Sequence, residues 1–74
     1  MIKLTLIQAM RIAKPTQKII RQKGMNEGLI WSDRFHSFLW CESDGKVCKS
    51  ETDPTGYSHL VMVSSLMGDD YYIQ

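Results

Sequence analysis

Residues 5–24 read TLIQAMRIAKPTQKIIRQKG, and the hydrophobic period changes halfway along them. Thr5-Leu6-Ile7-Gln8 fits a capping box, in which the Thr5 hydroxyl accepts from the Gln8 amide and the Gln8 side chain reaches back. Leu6, Ala9, Met10 and Ala13 follow at the spacing of one helical face. Leu4 precedes the cap and is placed to pack on Ala9. Pro15 disfavours helical backbone at the residue before it, so the spacing predicts a helix over about 5–13. Beyond the proline, Lys18-Ile19-Ile20-Arg21 is β-prone, and Gly24 with Asn26 supplies a turn.

The remainder reads as short strands between turns. Leu29-Ile30-Trp31-Ser32 is a second strand, closed by Asp33-Arg34. Residues 36–42 and 46–51 form a hairpin around Asp44-Gly45, a strong two-residue turn signal. ETDPTG, at 51–56, is a loop. Residues 59–63 are another strand. Ser64 or Ser65 caps a helical turn at Leu66-Met67 that ends at Gly68, and Tyr71-Tyr72-Ile73 is a terminal strand. One helix followed by these strands predicts an α+β fold: an N-terminal helix packed on a small curled antiparallel sheet of five or six short strands, in a single domain over 1–74.

The hairpin also governs the cysteines. A two-residue turn at Asp44-Gly45 pairs Ser43 with Lys46, Glu42 with Val47 and Cys41 with Cys48. That register brings the two thiols within reach of a disulfide, although in a reducing cytoplasm they act as small apolar residues. Two cysteines without a C-x-x-C spacing predict no zinc site and no other metal.

Composition narrows the function classes. The chain has 74 residues, 43% hydrophobic and 23% charged, with a net charge of +1. A core this small supplies only about 3–5 kcal/mol of net stability, so self-association is expected. No apolar run approaches the roughly 20 residues of a membrane span, and the N-terminus has too many charges for a secretory signal. A cytoplasmic protein is expected. The small net charge hides an asymmetry: residues 1–24 hold six basic residues and no acid, whereas 25–74 hold three basic residues against eight acids. Such a dipole suits an anion site or complementary subunit contacts, while a binder of long nucleic acid is usually more basic overall.

A phosphate-bearing ligand calls for forked charge-assisted donors and a flat surface for a base. Arg21, with Lys18 beside it, supplies the charge. Gly24 lets backbone amides approach, and Asn26 offers both a donor and an acceptor. Trp31, Trp40, Phe38, Tyr71 and Tyr72 are aromatic candidates, with the tryptophans read as core before ligand platform and Phe35 and Phe38 as core by default. Asp69-Asp70 reads as a turn cap, or as an acceptor for ribose hydroxyls. His36 and His59 lack a nucleophile with an orienting acid, and no phosphate-loop or metalloprotease motif occurs. No enzyme activity and no cofactor are expected.

The stretches LTLIQAMRIAK, KIIRQKGMNEG, FLWCESDGKVCKSE and VSSLMGDDYYIQ, taken in order, resemble a family of small phage proteins, the second Thoeris anti-defence type. The specific part of the likeness covers 18–26 and 65–73. There Ile20-Arg21-Gln22-Lys23-Gly24-Met25-Asn26 and Leu66-Met67-Gly68-Asp69-Asp70-Tyr71-Tyr72-Ile73 stand against the family's two signatures. Met25 and Tyr71 each occupy a position that is tryptophan in the family. The resemblance implies a homo-oligomer, dimer or tetramer, in the infected bacterial host. It implies sequestration, without cleavage, of a cyclic ADP-ribose-type or cyclic oligonucleotide immune signal in pockets between subunits. Lys18, Arg21, Gly24, Met25, Asn26, Trp31, Asp70 and Tyr71 are then the expected ligand-binding residues. A small inhibitor that binds a host protein directly, such as an anti-CRISPR, is the alternative.

Overall fold

The computed structural model describes residues 3–61, 68 and 70–74. The expected helical turn at Leu66-Met67, its caps Ser64 and Ser65, the end of the expected 59–63 strand, and Asp69 lie outside the described residues. Helix α1 spans Leu6–Thr16, followed by strands β1 (Ile20–Gln22), β2 (Gly28–Ser32), β3 (Ser37–Cys41) and β4 (Tyr71–Ile73). They form one antiparallel sheet in the order β3-β2-β1-β4.

The helix begins where the capping box places it. The Gln8 amide donates to Thr5 Oγ1 at 3.2 Å and the Thr5 amide to Gln8 Oε1 at 3.0 Å. It ends later than expected, with Pro15 inside the last turn. A proline there lacks the N–H that would close the turn, yet the terminal carbonyls find other donors. Thr16 Oγ1 donates to the Ile12 carbonyl at 2.9 Å, and the Gln17 amide to the Ala13 carbonyl at 2.7 Å. Gln17, with φ 55°, then turns the chain out in the left-handed conformation.

Sheet register sorts the side chains. Ile20 pairs with both Leu29 and Ile73, Leu29 with Trp40, Trp31 with Phe38, and Gln22 with Tyr71. Side chains alternate along a strand, so these residues share the face that meets α1. Leu6, Ala9 and Ala13 from the helix close on Ile20, Leu29, Phe38 and Tyr71. The two buried alanines let the helix axis lie close to the sheet. Arg21, Gly28, Cys41 and Tyr72 belong to the other face by the same register.

Four strands form among the described residues, where five or six were expected. The expected strand at 46–51 and the described part of the expected 59–63 strand, residues 59–61, hold only isolated bridges, Cys41 with Val47, Lys49 with Tyr57 and Leu39 with His59. The outer edge of β3 is divided between two segments. The Trp40 carbonyl accepts from the Cys48 amide at 2.8 Å, while the Trp40 amide donates to the Ser58 carbonyl at 2.9 Å. Neither segment has a run of edge long enough to become a strand.

The turn before them has three residues, where two were expected. The Gly45 amide donates to the Glu42 carbonyl at 2.9 Å, the Glu42 amide to the Lys46 carbonyl at 2.8 Å, and Gly45 has φ 89°. This is a turn closed by a left-handed glycine. The register therefore slips by one, and Val47 takes the place opposite Cys41 that was expected for Cys48. Both cysteines are free. Burial pushes both thiols up, and nearby Glu42, Glu27 and Asp44 add to the effect at Cys48. No helix among the described residues is long and apolar enough to cross a membrane.

Replacing Thr5 with alanine is expected to remove about 1 kcal/mol, or roughly 4–8 °C of melting temperature for a domain of this size. Thermal denaturation checks this, and Thr5→Ser should restore the value.

Candidate functional site

The residues expected to bind ligand do not converge. Arg21 is buried, at 5% exposure, and its guanidinium is committed to the chain. Nη1 donates to the Asn26 and Glu42 carbonyls, both at 3.1 Å, Nη2 to the Ser43 carbonyl at 3.0 Å, and Nε to Gln74 Oε1 at 2.5 Å. These bonds use four of the five N–H donors of an arginine. Arg21 thus joins the turn after β1, the turn after β3 and the end of β4. Gly28, its cross-strand partner, makes room for it. A Cβ at Gly28 would lie 2.8 Å from both the Ile20 carbonyl oxygen and Ile19 Cγ2, and 3.1 Å from Arg21 Nη1.

The other expected residues scatter around this rivet. Lys18, Gly24, Met25 and Asn26 are exposed, and Gly24, at φ 84°, shapes the turn after β1. Asp70 Oδ1 accepts from Gln22 Nε2 at 3.0 Å. Tyr71 is buried in the core, and burial pushes its phenol up. Met25 and Tyr71 do share a crevice with Gln22, Gly28 and Trp40, but its volume is about 30 Å³, too small for a nucleotide.

Trp31 belongs to a different and larger feature. An open groove of about 380 Å³ runs between α1 and the sheet. Ile7, Met10, Arg11 and Lys14 form its helical wall, and Trp31, His36, Ser37, Phe38 and Leu60 the other. Among the described residues the lining contains no acid. Spacing explains the helical wall, because Ile7 and Arg11, like Met10 and Lys14, are four apart and lie along one side of α1. Cross-strand pairing explains the aromatic wall, because Trp31 opposes Phe38.

The indole is held firmly. Trp31 Nε1 donates to Asp33 Oδ1 at 2.7 Å, and Asp33 Oδ2 accepts from Gln17 Nε2 at 2.6 Å. Phe38 meets the ring edge-on, with centroids 5.1 Å apart. Lys14 Nζ sits 4.4 Å from the centre of the Trp31 ring. Among the described residues no carboxylate lies within ion-pair distance of Arg11 or Lys14. The groove therefore offers two uncompensated cations next to a fixed aromatic face, a chemistry suited to a planar anion. Sequence reasoning named Trp31 and missed Arg11, Lys14 and His36. Their signal was the i, i+3 placement of Arg11 and Lys14 in an acid-free helix.

A hydrogen-bond chain was also missed. Ser37 Oγ lies 2.5 Å from His59 Nδ1, His59 Nε2 lies 2.6 Å from Thr55 Oγ1, and Thr55 Oγ1 donates to Asp53 Oδ1 at 2.6 Å. A threonine hydroxyl has one hydrogen, and here Asp53 takes it. Nε2 of the imidazole is then the donor to Thr55. Phe35 packs edge-on against His59, with centroids 5.4 Å apart. The chain fastens the 51–60 loop to β3. Among the described residues no group of three His, Cys, Asp or Glu is placed to hold a metal ion.

Three substitutions test these assignments. Arg21→Ala should cost about 3 kcal/mol or more, because it strips the donor from several carbonyls, and Gly28→Ala about 1–3 kcal/mol through overpacking. An exposed ligand arginine would move the melting temperature little. At Asp53, the Thr55 hydroxyl and then the Thr55 amide hold the carboxyl below its ordinary value, with His59 adding to the effect. Its contribution is therefore complete above the ordinary carboxylate range and is lost as pH falls through the lower folded value. The melting-temperature gap between the native protein and Asp53→Asn should narrow as pH falls from about 6 to below about 3.

Comparison of the chain with protein-family models, with curated proteins and with solved structures finds no match.

Proposed function

We propose that the protein is a non-enzymatic binder that sequesters a small ring-bearing anion of the cyclic-nucleotide class. The ligand is of cyclic ADP-ribose type or a cyclic oligonucleotide, and it is released unaltered. One observation carries this: among the described residues, the groove beside α1 combines two cations that have no carboxylate partner with a locked indole and no acid in its lining. Its volume of about 380 Å³ falls within the range typical of small-molecule sites. The resemblance of 18–26 and 65–73 to anti-defence sponges favours the same ligand class. The site proposed here, however, is built within one protomer, and Arg21 serves the fold. Assembly into a dimer or tetramer is part of the proposal, supported by the basic N-terminal third and the acidic remainder.

A second reading has an observation of its own. Ile7 and Val61 are 57% and 84% exposed, and Ile7 lines the groove. An apolar surface next to cations also suits direct contact with a host protein.

Thermal-shift titration against cyclic ADP-ribose isomers and cyclic di- and trinucleotides, with mass by light scattering, tests the proposal. A ligand at about a hundred times its Kd adds about 2.7 kcal/mol, a shift of 10 °C or more for a domain of this size. Trp31→Ala should weaken binding by roughly 10- to 100-fold through loss of stacking. Silence across the whole panel would reject the sponge and favour a protein target.

A further inference from the structure

The groove contains a contact that a ligand would have to break, and this deepens the binding proposal on which it rests. Lys14 Nζ sits over the indole of Trp31, 4.4 Å from the ring centre, on the face a flat ligand would use. The indole has little freedom to move aside, since Asp33 holds its N–H, Gln17 holds Asp33, and Phe38 packs against its ring. Lys14 is the mobile partner. It is exposed, it has no carboxylate within ion-pair distance among the described residues, and its ammonium ends a flexible four-carbon stem. Arg11 lies one turn earlier on the same side of α1 and lines the same groove.

We propose that Lys14 is an exchangeable occupant of the ligand's ring position, which makes the site selective for molecules that carry a planar ring and an anion together. The ring takes over the Trp31 face. The displaced ammonium, leaving a favourable cation–π contact, is recaptured by the anion next to Arg11. A neutral ring must evict Lys14 with nothing to receive it. A bare anion attracts Lys14 but leaves the indole uncovered. Selectivity then comes from a penalty on ligands that bring one half of this chemistry.

The chain has two tryptophans, so Trp40→Phe leaves Trp31 as the sole indole reporter. In that background, binding of adenosine 5′-monophosphate, adenosine and inorganic phosphate is measured by calorimetry alongside Trp31 emission. Adenosine 5′-monophosphate should bind at least tenfold more tightly than either fragment and shift the emission. Lys14→Met keeps the stem length and removes the charge. It should shift Trp31 emission in the free protein, tighten adenosine and weaken the monophosphate, cutting the preference at least tenfold. Binding of the monophosphate with an unchanged preference in Lys14→Met would overturn the exchange and leave the binding proposal standing. A monophosphate that binds no better than adenosine would overturn the exchange whatever the cyclic-nucleotide panel gives, and a silent panel would remove the binding proposal itself.

Discussion

The architecture turns on one cross-strand pair, Arg21 and Gly28. An arginine at 5% exposure with no carboxylate partner among the described residues is costly unless its donors are met. Here carbonyls from two turns and the Gln74 side chain meet them. Those acceptors lie in the turns after β1 and β3 and at the end of β4, so one side chain ties three segments together. The guanidinium replaces a layer of apolar core on the face of the sheet away from α1. The missing side chain at Gly28 is the complement, since any Cβ there would collide with backbone and with Ile19. In a chain of 74 residues, whose single apolar core is small, this polar rivet secures the second face of the sheet.

Much of the fold was legible locally. The capping box at Thr5 and Gln8, the apolar face of α1, strands β2, β3 and β4, and the turn at Gly24 all follow from neighbouring residues. What escaped depends on distant ones. Pro15 is tolerated because the Thr16 hydroxyl supplies a donor to the last turn. The Asp44-Gly45 pair suits a two-residue turn as well as a three-residue one, and the choice moves every following side chain by one register. The 46–51 and 59–61 segments have strand composition but share one edge of β3, so neither runs on as a strand over the described residues. Nothing in their own residues announces that competition.

The candidate groove shares residue types with the sequence reading, basic and aromatic, but only one of its positions, Trp31. The acid-free N-terminal third pointed to an anion, and the aromatics to a ring. Residues 18–26 held the densest charge and drew the assignment, yet alternation along β1 puts Arg21 on the face away from α1, where the turns after β1 and β3 and the Gln74 side chain close over it. The cations left over for a ligand, Arg11 and Lys14, sit on α1, and they meet Trp31 only because the helix packs across β2. The Ser37–His59–Thr55–Asp53 chain illustrates the same limit. Its members come from β3 and the 51–60 loop, and only the bridge of His59 to Leu39 brings them into line.

Strand β4 pairs with β1 along one side and meets Leu4 on the other, where Tyr71 exchanges two backbone hydrogen bonds with Leu4 at 3.0 and 3.1 Å. The β1-β2-β3 meander closes through short turns, but these contacts join segments distant in sequence, so their loop entropy must be met before they repay it. Leu4, β4 and the Gln74 end of the Arg21 network therefore form one unit of native-state opening. Amide hydrogen exchange at Leu4, Tyr71 and Gln74 would proceed with a common free energy, below that of Ile20 and Leu29 at the centre of the sheet.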